Sequence, residues 1–169
     1  MTATVLQLNA SHGGLPKYEV AAAFAGPDGL EGDRHAHPQF HGGPDKALLL
    51  VSHEDLESLV HRGWEVFPGA LGENITVSGL DFRQLRPGMR FRIGPAAIEL
   101  TELRVPCRQL DVYNRPEAEG RIQEAVYDAR CKSGDATSPR WAFAGFLARV
   151  LTPGLIRKGD PIRLLDASV

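Results

Sequence analysis

Apolar positions along the chain fall into short runs punctuated by glycine and proline, and these runs predict mostly strands. Residues 4–8 form the first. Residues 46–52 are apolar almost without interruption, the pattern of a strand covered on both faces. Ser52 followed three residues later by Asp55 resembles a capping box, and Leu56, Leu59 and Val60 supply a helical apolar face that Gly63 ends. Residues 74–77 predict a short strand before the Gly79 turn. In residues 87–94, Met89, Phe91 and Ile93 alternate with Arg90 and Arg92, and residues 97–102 complete a hairpin with them. Residues 158–165 repeat the theme of a glycine turn followed by a strand. A second helix is expected over 117–130, with Ile122, Ala125 and Val126 on one face. Residues 132–139 read as a polar loop, and residues 141–150 return to a strand-like pattern. The fold class is therefore mainly β with a few helices, arranged as a closed or nearly closed β-barrel. Residues 1–169 are expected to form a single domain, with no linker.

Composition narrows the functions open to such a domain. A net charge of −2 over 169 residues gives no electrostatic footprint for nucleic acid or a membrane surface. No apolar run approaches a membrane span, and the first residues lack the basic and apolar regions of a secretory signal. The expected compartment is the cytoplasm. The two cysteines, Cys107 and Cys131, do not make a disulfide framework or a C-x-x-C zinc motif.

Cys107 carries the strongest chemical signal. It lies in a strand-like run interrupted by Pro106, with Arg104 three residues before it and Arg108 one after. The thiolate is the form that binds metals and attacks electrophiles, and nearby cations favour it. A buried packing cysteine is the plain alternative. Cys131, in Asp-Ala-Arg-Cys-Lys, is expected to be structural or exposed. Three glycine-rich segments add candidates. The run from Gly29 to Pro38 contains a tight turn holding Asp33 and His35; His35, His37 and His41 could meet at a metal, although a solvated loop explains them better. In residues 40–47, Gly42 and Gly43 let backbone N–H groups approach an anion, with His41 and Lys46 beside them. In residues 68–77, Gly72 permits an unusual backbone conformation, with Glu73 and Asn74 at a strand entrance; the plain alternative is a turn capped by the asparagine.

Taken in order, the segments Gly-x-x-Gly-Asp, His-Gly-Gly-x-x-Lys-Ala, Pro-Gly-x-x-Gly-Glu-Asn-Ile, Gly-x-x-x-x-Ile-Gly and Arg-x-Pro-Cys, closing in Gly-Asp-Pro-Ile-Arg-Leu-Leu, resemble the MOSC domain from about Gly29 to Leu165. That module ends molybdenum-cofactor sulfurases and also occurs as small standalone bacterial proteins. The resemblance implies a strand-rich barrel with the cysteine at the rim of a basic cleft. It implies the molybdenum cofactor as ligand, Cys107 as both metal ligand and catalytic residue, Asn74 as a contact to the pterin or its phosphate, and His41, Gly42 and Gly43 near the cofactor. Lys46, Glu73 and Arg104 join the cofactor-binding set on charge and position. The implied activity is reduction of small N-hydroxylated substrates such as hydroxylaminopurines or amidoximes. The chain lacks an aminotransferase-like domain and the extra N-terminal barrel of the amidoxime reducers. A separate electron-donor protein is therefore expected as partner. Two further readings stay open: a sulfur carrier loaded at Cys107 by a cysteine desulfurase, and a cofactor-binding module without turnover. Residues 117–139 could cover the cleft.

Overall fold

The computed structural model describes residues 2–34 and 42–166. Eleven strands and three α-helices succeed one another: β1 (Thr4–Ala10), β2 (Tyr18–Val20), β3 (Ala22–Gly26), β4 (Gly29–Leu30), β5 (Leu48–Ser52), α1 (His53–His61), β6 (Ile75–Ser78), β7 (Arg90–Ile93), β8 (Ala96–Leu103), α2 (Ile122–Val126), α3 (Ala129–Lys132), β9 (Phe146–Thr152), β10 (Gly154–Arg157) and β11 (Ile162–Asp166). Eight strands form one sheet in the order β11-β7-β8-β9-β5-β6-β1-β2. Three form a second sheet, β10-β3-β4. All pairings are antiparallel except β5 with β6. The mainly β class with few helices is what the sequence predicts.

The large sheet is not closed into a barrel. Its edge strands are β11 and β2, and they do not pair. The two ends approach through one isolated bridge between Thr4 and Pro161, with Val5 N–H donating to Asp160 C=O at 2.9 Å, Gly159 N–H to Val5 C=O at 2.8 Å and Ile162 N–H to Ala3 C=O at 2.8 Å, and through an ion pair of Lys158 with Glu19 on β2. Closure stops there because β2 occupies the same side of β1 from Leu8 to Ala10.

β5 explains its continuous apolar sequence. Leu48 and Leu50 enter a core cluster with Leu8, Phe82, Ile98, Trp141 and Phe146; Leu49 and Val51 enter another with Leu56, Leu59, Trp64, Leu110 and Ile122. Each side chain so buried stabilises the fold by about 1.5–3 kcal/mol before entropy is counted. α1 starts as expected: Ser52 Oγ accepts from Asp55 N–H at 3.2 Å, a cap worth about 1 kcal/mol.

Two expectations change. The helix expected over 117–130 is instead α2 and α3, because Gly120 (φ 88°) and the extended Arg121 delay its start and the extended Tyr127 interrupts it. The strand expected from 141 begins at Phe146, because residues 141–145 form a turn with Ala142 at φ 67° and Gly145 at φ 91°. β2 and β4 are too short to read, and β3 (Ala-Ala-Phe-Ala-Gly) and β10 (Gly-Leu-Ile-Arg) lack a clear polar–apolar alternation. No helix among the described residues is long and apolar enough to cross a membrane.

Candidate functional site

Cys107 owes its place to the end of β8. Arg104 N–H still donates to Gly145 C=O at 2.9 Å, and then Pro106, which has no N–H to give a neighbouring strand, ends the pairing. Gly145 has to be glycine for this approach: a Cβ there would lie 2.3 Å from Leu50 O. Cys107 follows in an extended conformation and leads into a short 3-10 turn, Arg108–Tyr113. Gln123 on α2 clamps the turn. Its amide Nε2 donates to Cys107 C=O at 3.3 Å and to Asp111 Oδ1 at 2.7 Å; both partners are acceptors, which determines the orientation of the amide. Cys107 is itself partly exposed.

The thiol opens onto a cavity of about 290 Å³. Gly42, Lys46, Asn74, Arg104 and Cys107, all proposed from sequence, line it together. So do Lys17, Arg34 and Gln109, which the sequence reading did not select. Lys17 sits in an unremarkable Leu-Pro-Lys segment and reaches the cavity only because its segment packs on the Gly69 turn. Lys17 N–H donates to Gly69 C=O at 2.9 Å, and a Cβ on Gly69 would meet Lys17 O at 2.1 Å. Among the remaining candidates, Gly43 and Glu73 do not line the cavity. His41 lies outside the described residues, as do His35 and His37. Residues 117–139 do not line the cavity either, so no cover over it is formed by them: Ile122, Ala125 and Val126 turn into the core instead.

Arg104 is the central cation. Its Nη2 donates to Leu71 C=O at 3.1 Å, while Nη1 is enclosed and has no partner among the described residues. Burial lowers the Arg104 pKa, opposed by attraction to the Cys107 thiolate and to Glu73. An enclosed donor without a partner carries a cost of about 1–3 kcal/mol that an anionic or carbonyl ligand would relieve.

Glu73 does structural work. Its fully buried carboxylate accepts from Gly69 N–H at 2.6 Å, Leu71 N–H at 3.1 Å and Thr76 Oγ1–H at 3.0 Å. Burial raises its pKa, and these hydrogen bonds oppose the rise. With both oxygens committed to the 69–72 turn, it has none to offer a ligand, and it acts by shaping the wall that Leu71 and Gly72 present. Asn74 is likewise engaged: Oδ1 accepts from Leu49 N–H at 3.0 Å, and Nδ2 donates to Asp33 Oδ2 at 2.8 Å. Lys46 pairs with Glu102 at 2.9 Å, both half-exposed at the rim. No group of three or more His, Cys, Asp or Glu among the described residues could hold a metal. Among the described residues that line the cavity, Cys107 supplies the soft donor that could hold a metal.

A β-rich scaffold here releases a cysteine from a strand end into a cavity lined by four cations. The chain belongs to the MOSC domain family, whose profile matches residues 37–163. It is 37% identical over 146 residues to YiiM of Escherichia coli K12 and 30% identical over 146 residues to YflK of Bacillus subtilis. Each alignment covers 82% of this chain, which spans only 57% of the length of either relative. The fold is shared with the crystal structure of YiiM from Geobacillus stearothermophilus (TM-score 0.73, 24% identity, 99% of this chain and 77% of that one). It is also shared with YuaD from Bacillus subtilis (TM-score 0.67, 23% identity, 96% and 94%).

Proposed function

We infer that this chain binds the molybdenum cofactor in the Cys107 cavity, with the Cys107 sulfur as metal ligand, and serves as a reductase component for small N-hydroxylated substrates. The observation that carries the reading is the pairing, on one cavity wall, of a partly exposed cysteine with Arg104, whose enclosed Nη1 lacks a partner among the described residues. The donor set fits the group: a soft thiolate suits molybdenum, and Arg104, Arg34 and Lys46 suit an anionic, phosphate-bearing cofactor. When bound, the cofactor supplies the two-electron chemistry that cleaves an N–O bond.

The chain's own residues do the remainder. Cys107 is presented by the end of β8 and held at its carbonyl by Gln123. Arg104 attracts the thiolate and offers Nη1 to a ligand oxygen. Leu15, Leu49, Leu71, Leu103 and Leu147 narrow the cavity and restrict water around the reacting atoms. Electrons would come from a separate donor protein.

The test is elemental analysis of protein expressed in a cofactor-competent host, with Cys107→Ala purified alongside and its fold checked by circular dichroism. Near-stoichiometric molybdenum in the parent and none in a folded variant is the expected result. Equal molybdenum in both would overturn the ligand assignment. Absence from both, with a persulfide mass gain at Cys107 after treatment with a cysteine desulfurase, would replace this reading with sulfur carriage.

A further inference from the structure

The cavity wall holds a buried ion pair that binding a cofactor does not explain. Lys17 is only 6% exposed, and its Nζ lies 2.5 Å from Asp33 Oδ2. Asp33 is fixed from three sides, since it also accepts from Ser11 N–H at 2.9 Å and Asn74 Nδ2 at 2.8 Å. Enclosing two charges costs several kcal/mol per ion unless the geometry returns it. An ammonium has three donors; one meets Asp33, and Lys17 lines the cavity with the others free among the described residues.

The other charged groups facing the cavity are poorer proton donors. The guanidinium groups of Arg34 and Arg104 do not release protons. Lys46 and Glu102 neutralise one another at the half-exposed rim. Cys107 is engaged as the ligand, and Glu73 lies behind the wall with its carboxylate bound to backbone N–H groups. Reduction of an N–OH group needs protons as well as electrons, which makes the position of a buried ammonium informative.

We propose that Lys17, positioned by Asp33, is the general acid of the reaction. This rests on the reductase reading above. The overall step is R–NH–OH + 2 e⁻ + 2 H⁺ → R–NH₂ + H₂O. The electron pair that breaks the N–O bond would be supplied by the cofactor that the reductase reading assigns to this cavity. The Lys17 ammonium proton goes to the departing hydroxyl, which leaves as water. The amine nitrogen takes its proton from solvent, and neutral Lys17 is then reprotonated from water. Asp33 keeps the ammonium aimed and compensates its charge while it is buried.

Lys17→Ala and Lys17→Arg would be compared with the parent for molybdenum content, thermal melting, kcat and KM on an amidoxime, and recovery with added ethylammonium. Parental molybdenum and KM are expected in both variants, with kcat lower by about a hundredfold or more. Ethylammonium should restore a measurable part of kcat to Lys17→Ala. Lys17→Arg should stay slow, because its charge remains but its proton does not leave. Full kcat in Lys17→Arg would overturn proton donation, as would absence of rescue in a folded, loaded Lys17→Ala. Loss of molybdenum from both variants would reassign Lys17 to cofactor binding. A parent without molybdenum overturns the reductase reading and this proposal with it, an outcome the metal content alone distinguishes.

Discussion

The two cysteines have nearly the same neighbours in sequence and opposite surroundings in the fold. Cys107 is preceded by Arg104 and followed by Arg108; Cys131 sits directly between Arg130 and Lys132. Flanking charge alone would therefore favour Cys131 as the reactive thiol. In the fold, Arg130 turns away to Asp135, with Nε 2.8 Å from Oδ2. Cys131 is left buried in α3, its Sγ 3.5 Å from Ser138 Oγ, which donates on to Asp128 Oδ2 at 2.8 Å. Burial, reinforced by the Asp128 charge, raises the Cys131 pKa. At Cys107 the cation that matters is Arg104, which remains on the cavity wall, whereas exposed Arg108 lends its charge to Asp111. A cation beside a cysteine in sequence matters only if the fold gives it no better anion than the thiolate.

Alkylation should separate the two sites most. Iodoacetamide with peptide mapping is expected to modify Cys107 on the order of 100-fold faster than Cys131 in the folded protein, the gap closing in denaturant. Comparable rates in the folded state would break the contrast. Arg104→Met sharpens it. The variant should slow Cys107 alkylation severalfold by removing the attraction between guanidinium and thiolate. Its melting temperature should change little, since removing an enclosed donor without a partner offsets the lost bond to Leu71 C=O. A severalfold faster reaction would contradict the role given to Arg104.

On the other side, Ser138→Ala is expected to cost about 1 kcal/mol in denaturant unfolding by ending the relay from Cys131 to Asp128. Cys107 alkylation should be unchanged. The smallest effect is in the pH profile. A thiol whose pKa is raised by folding contributes stability that is complete below its unfolded value, about 8.5, and declines as pH rises through the folded value. Stability of the parent should fall more steeply than that of Cys131→Ala above about pH 8.5. Parallel profiles would remove Cys131 from the alkaline titration.

Much of the frame was legible before the structure. β5 announces itself because a strand covered on both faces needs apolar residues at successive positions, and residues 48–51 supply them before the Ser52 cap. α1 is equally plain, since its cap and its apolar face are local to ten residues. The hairpin of β7 and β8 follows from alternation and the Gly94 turn. Local patterns cannot show closure, which depends on whether the two ends of a long sheet meet. Here β2 takes the edge of β1 that β11 would need.

The same division holds at the site. Cys107, Arg104, Asn74, Lys46 and Gly42 could be selected from residue type and motif, and the fold brings them to one cavity. Glu73 looked like a ligand because it is charged and next to Asn74; only the folding of the 69–72 turn showed its oxygens already committed. Lys17 has no motif, because its partner Asp33 is distant in sequence and the Gly69 turn that supports it is more distant still. Residue chemistry and local periodicity were set by the sequence alone, as in the doubly covered β5, the capped α1 and the β7–β8 hairpin. The tertiary structure decided which charges meet, because electrostatic partners are chosen by distance in space, and space brings together residues that the chain keeps apart.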